Sequence, residues 1–256
     1  MSNTAAEPNF WVLIPARMGA GRLPGKPLAD LAGEPMVVRV AKVAQSAGAA
    51  RVVVATDSEA ISQAVHEAGV ESILTRADHA SGTDRLAEAV ALLGAQPAQL
   101  VVNLQGDEPL MPPEALRLAA QALQAHPQAS VSTAVTPMVQ EDICNPNQVK
   151  AVCDQSGLAL YFSRAPIPFW RDPSPSEAPP ARVLRHLGLY AYRAGPLSDF
   201  WQWGPCGLET MEQLEQLRWL HRGHRIATFL LETPPPPGVD TPEDLERMRA
   251  ILKASL

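Results

Sequence analysis

The chain has 256 residues, 46% of them hydrophobic and 19% charged, and its formal net charge is −6 at pH 7. These values exclude a disordered chain and a coiled coil, and they favour one large domain with a full hydrophobic core. No apolar run is long enough to span a bilayer, and an acidic chain lacks the basic surface that nucleic acids require, so we expect no membrane or nucleic-acid partner.

Short apolar runs alternate with helical periodicity in the first half of the chain. The runs predict buried strands over 10–14, 51–56, 71–74 and 100–104. Apolar spacing predicts helices over 34–47, 58–68, 83–93 and 113–125. Strands that are apolar on both faces and alternate with helices indicate right-handed βαβ units and a parallel sheet covered on both sides.

The pattern changes near Ser130. Strands are predicted over 131–135, 149–153, 187–193 and 226–231, and helices over 208–223 and 241–252. Two proline-rich stretches, 164–182 and 233–238, predict loops because proline interrupts helices and central strands. We therefore predict a nucleotide-type α/β domain with an inserted subdomain over about 135–205.

The turn after the first strand, PARMGAGRLPGKPL (15–28), carries three cations among three glycines: Arg17, Arg22 and Lys26. Ligands of parallel α/β folds bind at the carboxyl ends of strands, where glycines admit a phosphate and cations bind it. The string matches neither a Walker A loop nor a GxGxxG turn. A solvated surface loop is the alternative, but the concentration of cations and glycines favours a phosphate site.

Two acidic motifs could hold a metal ion. Asp107 ends a buried strand in LQGDEP (104–109), and Asp240 precedes the last helix in GVDTPEDL (238–245). Taken alone, Asp107 is equally explained by an Asx-turn, and Asp240 by the preference for acids before helices. Together they offer two carboxylates from distant segments, an arrangement that suits Mg²⁺.

Other polar motifs have both a functional and a structural interpretation. Ser81 and Gly82 lead into a helix whose N-terminus could face an anion or a base, or they could simply cap it. Arg164 is a candidate carboxylate clamp. His186 and Tyr190 share a strand face and could contact a ligand, although a structural histidine is equally consistent.

The cysteines and the N-terminus predict a cytoplasmic location. Cys144, Cys153 and Cys206 are odd in number and have no CxxC spacing, which argues against a disulfide framework or a zinc site. The opening MSNTAAEPNF has no basic segment followed by an apolar one, so it does not match a secretory signal.

Taken as a set, these motifs closely resemble the 3-deoxy-D-manno-octulosonate (Kdo) cytidylyltransferase family. The resemblance runs in order from about residue 10 to residue 250. RLPGKPL alone is typical of sugar nucleotidyltransferases in general. The more specific motifs are SGTDRL, NLQGDEP, FSRAPIP, RHLG and VDTPEDL.

The resemblance implies a single nucleotidyltransferase domain with an inserted sugar-binding and dimerisation subdomain. It also implies a reaction: the anomeric hydroxyl of Kdo attacks the α-phosphorus of CTP, CMP-Kdo forms for the inner core of lipopolysaccharide, and pyrophosphate leaves. Mg²⁺ is the implied cofactor, and the implied assembly is a homodimer.

The resemblance also implies residue roles. Asp107 and Asp240 would bind Mg²⁺, and together with Arg17 and Lys26 they form the predicted catalytic set. The predicted CTP-binding residues are Arg17, Arg22, Lys26, Arg76, Ser81, Gly82 and Asp107. The predicted sugar-binding residues are Gln105, Arg164, His186, Tyr190 and Glu209, with Arg164 on the carboxylate.

The chain departs from the family in two places. Gly19, Ala20 and Gly21 stand where the family usually has hydroxyl side chains, which removes side-chain contacts to phosphate. Four prolines, 234–237, stiffen the approach to Asp240. Two alternative functions stay open: transfer to another acid sugar, such as 8-amino-Kdo or a sialic acid, and CTP binding without catalysis on the same fold.

Overall fold

A mixed β-sheet organises this computed structural model, which describes residues 7–19, 23–171 and 182–254. The strands are β1 Phe10–Ala16, β2 Asp30–Leu31, β3 Glu34–Pro35, β4 Arg51–Thr56, β5 Glu71–Leu74, β6 Leu100–Asn103, β7 Ala129–Pro137, β8 Lys150–Cys153, β9 Ala159–Ser163, β10 Leu184–Arg193 and β11 Arg225–Leu230. The helices are α1 Met36–Ser46, α2 Glu59–Glu67, α3 Gly82–Leu92, α4 Pro113–Ala125, α5 Ala194–Trp203, α6 Gly207–Glu212, α7 Gln216–His221 and α8 Pro242–Ala254.

The main sheet has the strand order β11-β7-β10-β6-β1-β4-β5. β6, β1, β4 and β5 are parallel, whereas β10 runs antiparallel to both of its neighbours and β11 runs parallel to β7. β8 and β9 form a hairpin that extends from the start of β10. The predicted, mostly parallel sheet flanked by helices is therefore confirmed.

Apolar side chains on both faces of the central strands explain the layers. Val12 and Ile14 of β1 pack on one side with α1 and α4, while Leu13 packs on the other side with α3 and α5, and all three are fully buried. Burying each such side chain contributes about 1.5–3 kcal/mol. The βα connections therefore bring the loops after β1 and β6 to one edge of the sheet.

The segment 208–223 differs from the single helix that its periodicity predicts. Gln213 adopts a left-handed conformation (φ 52°), which ends α6 and lets α7 begin at Gln216. The break allows Leu217 and Trp219 to be buried against the sheet. The spacing of apolar residues alone does not predict such a break. The strand β9 and the helix α5 were also not predicted.

The predicted insert over 135–205 contributes β8, β9 and β10 to the sheet. β10 lies between β6 and β7 on the main path, and the hairpin β8–β9 branches from that path through the pairing of β8 with β10. The insert's boundaries and its separate role stay predictions. In the described ranges, no helix combines the length and the apolar character needed to cross a membrane.

Candidate active site

A cavity of about 340 Å³, called the main cavity below, lies at the carboxyl ends of β1 and β6. It is lined by parts of the segments 15–17, 23–27, 79–82 and 105–107, with Arg85 and Asp240. Of the predicted site residues, it brings together Arg17, Lys26, Ser81, Gly82, Gln105, Asp107 and Asp240. The predicted phosphate residue Arg22 lies outside the described residues, as do Ala20 and Gly21.

Lys26 joins the two predicted metal-binding carboxylates. Its Nζ donates to Oδ2 of Asp107 at 2.7 Å and to Oδ1 of Asp240 at 3.2 Å. The lysine side chain is 15% exposed and that of Asp107 26% exposed, so the first pair is only partly screened by water. The carboxylates of Asp107 and Asp240, which are far apart in the sequence, therefore both contact the Lys26 ammonium.

Close backbone contact holds Asp240 near Asp107. The N–H of Val239 donates to the Asp107 carbonyl oxygen at 2.9 Å. A Cβ at Gly238 would lie 3.0 Å from that same oxygen, so a side chain there would crowd the contact. The four prolines at 234–237 directly precede this contact. The contact places Asp240 at the cavity.

Gly106 allows the loop after β6 to lie against the end of β1. A Cβ at this position would be 2.9 Å from the carbonyl oxygen of Pro15, a backbone atom that cannot rotate away. The close approach places Gln105 and Asp107 beside the loop that follows β1.

We expect Gly106→Ala to lower kcat/KM about 100-fold, because a shift near 1 Å in a positioning loop has an effect of that size. Overpacking should also lower the free energy of unfolding by about 1–3 kcal/mol. Gly207→Ala is the matched control, since a Cβ there meets no atom within 4 Å. Steady-state kinetics and urea unfolding check the pair, and equal activity in both variants would refute the positioning role.

The start of α3 forms another wall of the cavity. Ser81 is the N-cap: its Oγ accepts from the Asp84 N–H at 3.2 Å and donates to Oδ2 of Asp84 at 3.1 Å. Arg85 is 3% exposed and donates to Oδ2 of Asp57 at 2.9 Å and to the Arg76 carbonyl oxygen at 3.3 Å. Arg85 thereby fixes the segment that precedes the helix.

Arg76, predicted to lie near the cytosine, does not line this cavity. Its guanidinium pairs with Asp78 at 2.9 Å, and both side chains are well exposed. It lines instead a neighbouring cavity that also contains Trp201.

His186 and Tyr190 lie together on β10. Their ring centroids are 5.4 Å apart, and His186 also packs edge-on against Phe162 at 5.1 Å. The Nε2 of His186 is 2.9 Å from Oγ1 of Thr133. Burial, with a smaller contribution from the charge of Arg185, lowers the pKa of His186 to about 3. The imidazole is therefore neutral at pH 7, and neither ring lines the main cavity.

The desolvated imidazole predicts a loss of stability in acid. The unfolded chain protonates His186 near pH 6.5 and the folded chain near pH 3, so the unfolded state binds more protons in between. The contribution of His186 to stability is therefore complete above pH 6.5 and declines as the pH falls.

The free energy of unfolding of the wild type should decrease between pH 7 and pH 5. We expect this decrease to be about 2 kcal/mol smaller in His186→Asn, which lacks the imidazole. Urea unfolding at the two pH values measures this difference. His66→Asn, at an exposed position on α2, is the control. Equal pH dependence in the wild type and in His186→Asn would contradict the burial argument.

Arg164 and Glu209, which are both predicted to bind the sugar, make several contacts within the protein. Arg164 donates to three carbonyl oxygens: Glu212 at 2.7 Å, Pro146 at 2.9 Å and Gln213 at 3.3 Å. Glu209 accepts two hydrogen bonds from Arg218, at 2.6 and 2.8 Å, and closes the capping box of α6 with Cys206. Neither residue lines the main cavity, and their binding of a sugar stays a prediction.

The sequence analysis missed Glu215 and Gln216, and it did not predict the burial of Glu108. Glu215 accepts from Thr83 Oγ1, and burial is the main cause of its raised pKa. Nε2 of Gln216 is buried and has no partner in the part of the chain that the structure describes. Burial, together with the charge of Asp107, raises the pKa of Glu108 to about 8. For Glu215 and Gln216, the apolar periodicity predicted only that they lie in a helix, and no local motif indicated a functional role.

Comparison with known proteins gives the family. A sequence model described as cytidylyltransferase matches residues 11–226. A 3-deoxy-manno-octulosonate cytidylyltransferase from Verminephrobacter eiseniae is 55% identical, over 98% of this chain and 97% of the relative. Another, from Polynucleobacter necessarius subsp. necessarius, is 51% identical over 100% of both chains.

Solved structures agree with the sequence comparisons. A CMP:2-keto-3-deoxy-manno-octonic acid synthetase in complex with CTP has a TM-score of 0.87 and 41% identity, covering 97% of this chain and 100% of that chain. A cytidylyltransferase from Leptospira borgpetersenii shares the fold at a TM-score of 0.61 and 17% identity, over 97% of this chain and 88% of that one. The chain therefore belongs to the 3-deoxy-manno-octulosonate cytidylyltransferase family.

Proposed function

We propose that this chain transfers CMP from CTP to the anomeric hydroxyl of Kdo, forming CMP-Kdo and releasing pyrophosphate. The observation that carries the proposal is the contact of Lys26 with both Asp107 and Asp240 in the main cavity, in a chain of this family. CMP-Kdo of this kind would supply the inner core of lipopolysaccharide.

The chemistry of the two carboxylates fits Mg²⁺. Oxygens of Asp107 and Asp240 already lie within hydrogen-bond distance of one cation, the Lys26 ammonium, so both can reach a single ion. The described residues contain no group of three or more His, Cys, Asp or Glu side chains suited to a metal. Mg²⁺ commonly uses one or two carboxylates and takes its other ligands from water and substrate phosphates. When bound, it would neutralise phosphate charge and lower the pKa of a bound hydroxyl.

The cations of the main cavity bring two anionic substrates together. Arg17 and Lys26 would hold the triphosphate, and the free N–H groups at the start of α3, near Gly82, favour an anion or a polar base edge. Without such charges a sugar acid and a triphosphate would repel each other. Positioning and charge neutralisation supply most of the catalysis in phosphoryl transfer.

The sugar would lie toward β10. Gln105 lines the main cavity and can donate or accept through its amide, and the neutral imidazole of His186 and the Tyr190 hydroxyl can each bond a sugar hydroxyl. Glu215 and Gln216, at the start of α7, would extend this polar surface. Arg164, whose guanidinium donates to three backbone carbonyls, stays the predicted partner of the sugar carboxylate.

The transfer is a direct in-line displacement. The anomeric oxygen forms a bond to the α-phosphorus while the bond from that phosphorus to the bridging oxygen breaks, and the hydroxyl proton passes to solvent. Ser81 has the only hydroxyl among the main cavity's described lining residues, and this hydroxyl is engaged as the N-cap of α3, where it accepts from the Asp84 N–H and donates to the Asp84 carboxylate. Incubation with CTP and Mg²⁺ alone should therefore yield no nucleotidylated protein by intact mass spectrometry.

Product analysis tests the function. Phosphorus NMR of the enzyme with CTP, Kdo and Mg²⁺ should show equal amounts of pyrophosphate and a new phosphodiester. ATP, GTP and UTP should give none, and a sialic acid or 8-amino-Kdo should give far less product. Efficient transfer to one of those sugars would overturn the assignment of Kdo, and binding of CTP without turnover would overturn the assignment as an enzyme. The homodimer and the cytoplasmic location stay predictions.

A further inference from the structure

A buried lysine lies beside Arg164 and has no part in the chemistry described so far. Lys150, the first residue of β8, is fully buried. Its ammonium donates to the backbone carbonyl oxygen of Arg164 at 2.5 Å and to that of Asn145 at 3.1 Å. Burial is the main cause of its lowered pKa. Within the described ranges, no carboxylate forms an ion pair with this ammonium.

The carbonyl contacts of Lys150 indicate why a charge is buried here. Removing an ammonium from water is costly, and an apolar side chain of similar size would fill the same space without that cost. The lysine therefore contributes something other than stability. Its two contacts join Asn145, in the turn before β8, to Arg164, which directly follows β9, so the ammonium fixes the backbone of both segments.

Arg164 is held through its backbone as well as its side chain. Its N–H donates to Oε2 of Glu212 at 2.9 Å, and its carbonyl oxygen accepts from Lys150. The guanidinium has five N–H groups, and three of them donate to backbone carbonyls. One N–H on each terminal nitrogen thus has no partner in the part of the chain that the structure describes. A carboxylate can accept hydrogen bonds from both terminal nitrogens.

The hairpin β8–β9 places Arg164 next to the surface assigned to the sugar. β8 pairs with the start of β10, and the N–H of His186 donates to the carbonyl oxygen of Val149 at 2.8 Å. Phe162, two residues before Arg164, packs edge-on against the His186 ring. A sugar bonded to His186 would therefore lie close to the segment that Lys150 fixes.

Positive charge exceeds negative charge in this cluster. Lys150 and Arg164 are two cations, and Glu212 supplies a carboxylate that accepts from Ser163 Oγ at 2.6 Å and from the Arg164 N–H. Neither cation forms an ion pair with a described residue. A bound carboxylate would balance the remaining charge, whereas a neutral sugar would not. The cluster therefore favours an acid sugar.

We propose that Lys150 is a positioning residue for the sugar carboxylate. Its ammonium fixes the backbone of Arg164 and the turn at Asn145, so that the guanidinium presents its two unbonded N–H groups to the acid group of the sugar. The inference rests on the proposed function. Lys150 itself contacts no substrate, and its effect is limited to the sugar.

Lys150→Met, which removes the ammonium and keeps the length of the side chain, tests this role by steady-state kinetics. We expect the KM for Kdo to rise between about tenfold and 100-fold, because the loss of Lys150 displaces a positioning group. The KM for CTP and kcat should stay within about threefold of the wild type, since the carboxylate contact is made equally in the ground state and the transition state. Lys42→Met, at an exposed lysine paired with Glu34, should change none of these values.

A double-mutant cycle with Arg164→Gln separates positioning from general damage. If Lys150 acts through Arg164, Lys150→Met should lower kcat/KM for Kdo little further once Arg164→Gln is present. Losses that multiply in the double variant would overturn the proposal. An unchanged KM for Kdo in Lys150→Met, or an equal rise in the KM for CTP, would overturn it as well.

The wild type separates the two levels of the argument. Absence of CMP transfer to Kdo by the wild type would overturn the proposed function and this inference with it. Transfer by the wild type, with an unchanged KM for Kdo in Lys150→Met, would overturn the inference alone. If circular dichroism shows that Lys150→Met is unfolded, the same cycle with Lys150→Arg decides, because the longer, planar guanidinium displaces the donors while keeping the charge.

Discussion

Asp107→Asn is expected to lower the rate of CMP transfer about 1,000-fold, because it removes a charged ligand from the proposed metal position at the reacting phosphate. The amide keeps the size of the side chain, so the cavity should retain its shape. We also expect CTP binding by the variant to lose its enhancement by Mg²⁺. Pyrophosphate release and calorimetric titration with CTP, each with and without Mg²⁺, measure the two effects.

Asp199→Asn provides the control for this variant, since Asp199 is an exposed carboxylate on α5, away from the main cavity. Its activity should match that of the wild type. Activity of Asp107→Asn within tenfold of the wild type would show that the carboxylate has no direct part in the reaction.

Lys26→Met is expected to lower kcat/KM between about 100-fold and 1,000-fold, because the triphosphate loses a charged donor near the reacting bond. The same change leaves Asp107 and Asp240 without the ammonium that bridges them. We therefore expect Lys26→Met to bind Mn²⁺ more tightly than the wild type in the absence of CTP. Steady-state kinetics and electron paramagnetic resonance of free Mn²⁺ measure these opposite effects.

Lys42→Met is the matched control, because Lys42 is an exposed lysine that pairs with Glu34 on the surface. It should change neither catalysis nor Mn²⁺ binding. Weaker Mn²⁺ binding by Lys26→Met would contradict the view that the ammonium occupies the position of the metal.

The central sheet was predictable because its strands are continuous apolar runs. Strand β4 begins and ends where its β-branched run does, and Ser58 caps the following helix, as predicted. The carboxyl ends of parallel strands share one edge, so the meeting of the phosphate loop with Asp107 followed from the fold class. The pairing of Asp107 with Asp240 was a hypothesis drawn from their two motifs, whereas the contact of Lys26 with both carboxylates was not predicted.

The positions of Arg164 and Glu209 could not be predicted, because they depend on the break at Gln213. That left-handed residue ends α6 and exposes backbone carbonyls that accept hydrogen bonds from Arg164. A continuous helix would have satisfied those carbonyls internally. Long-range pairs such as Glu215 with Thr83 are equally absent from local patterns, since their residues lie far apart in the sequence.

The central claim is that Asp107 and Asp240 act on one metal ion. A double-mutant cycle with Asp107→Asn and Asp240→Asn, read as kcat/KM for pyrophosphate release at saturating Mg²⁺, tests it most directly. If the two carboxylates share one ion, the double variant should be about as slow as the slower single variant. Losses that multiply, so that the double variant is slower by the product of the two single effects, would contradict a shared metal site.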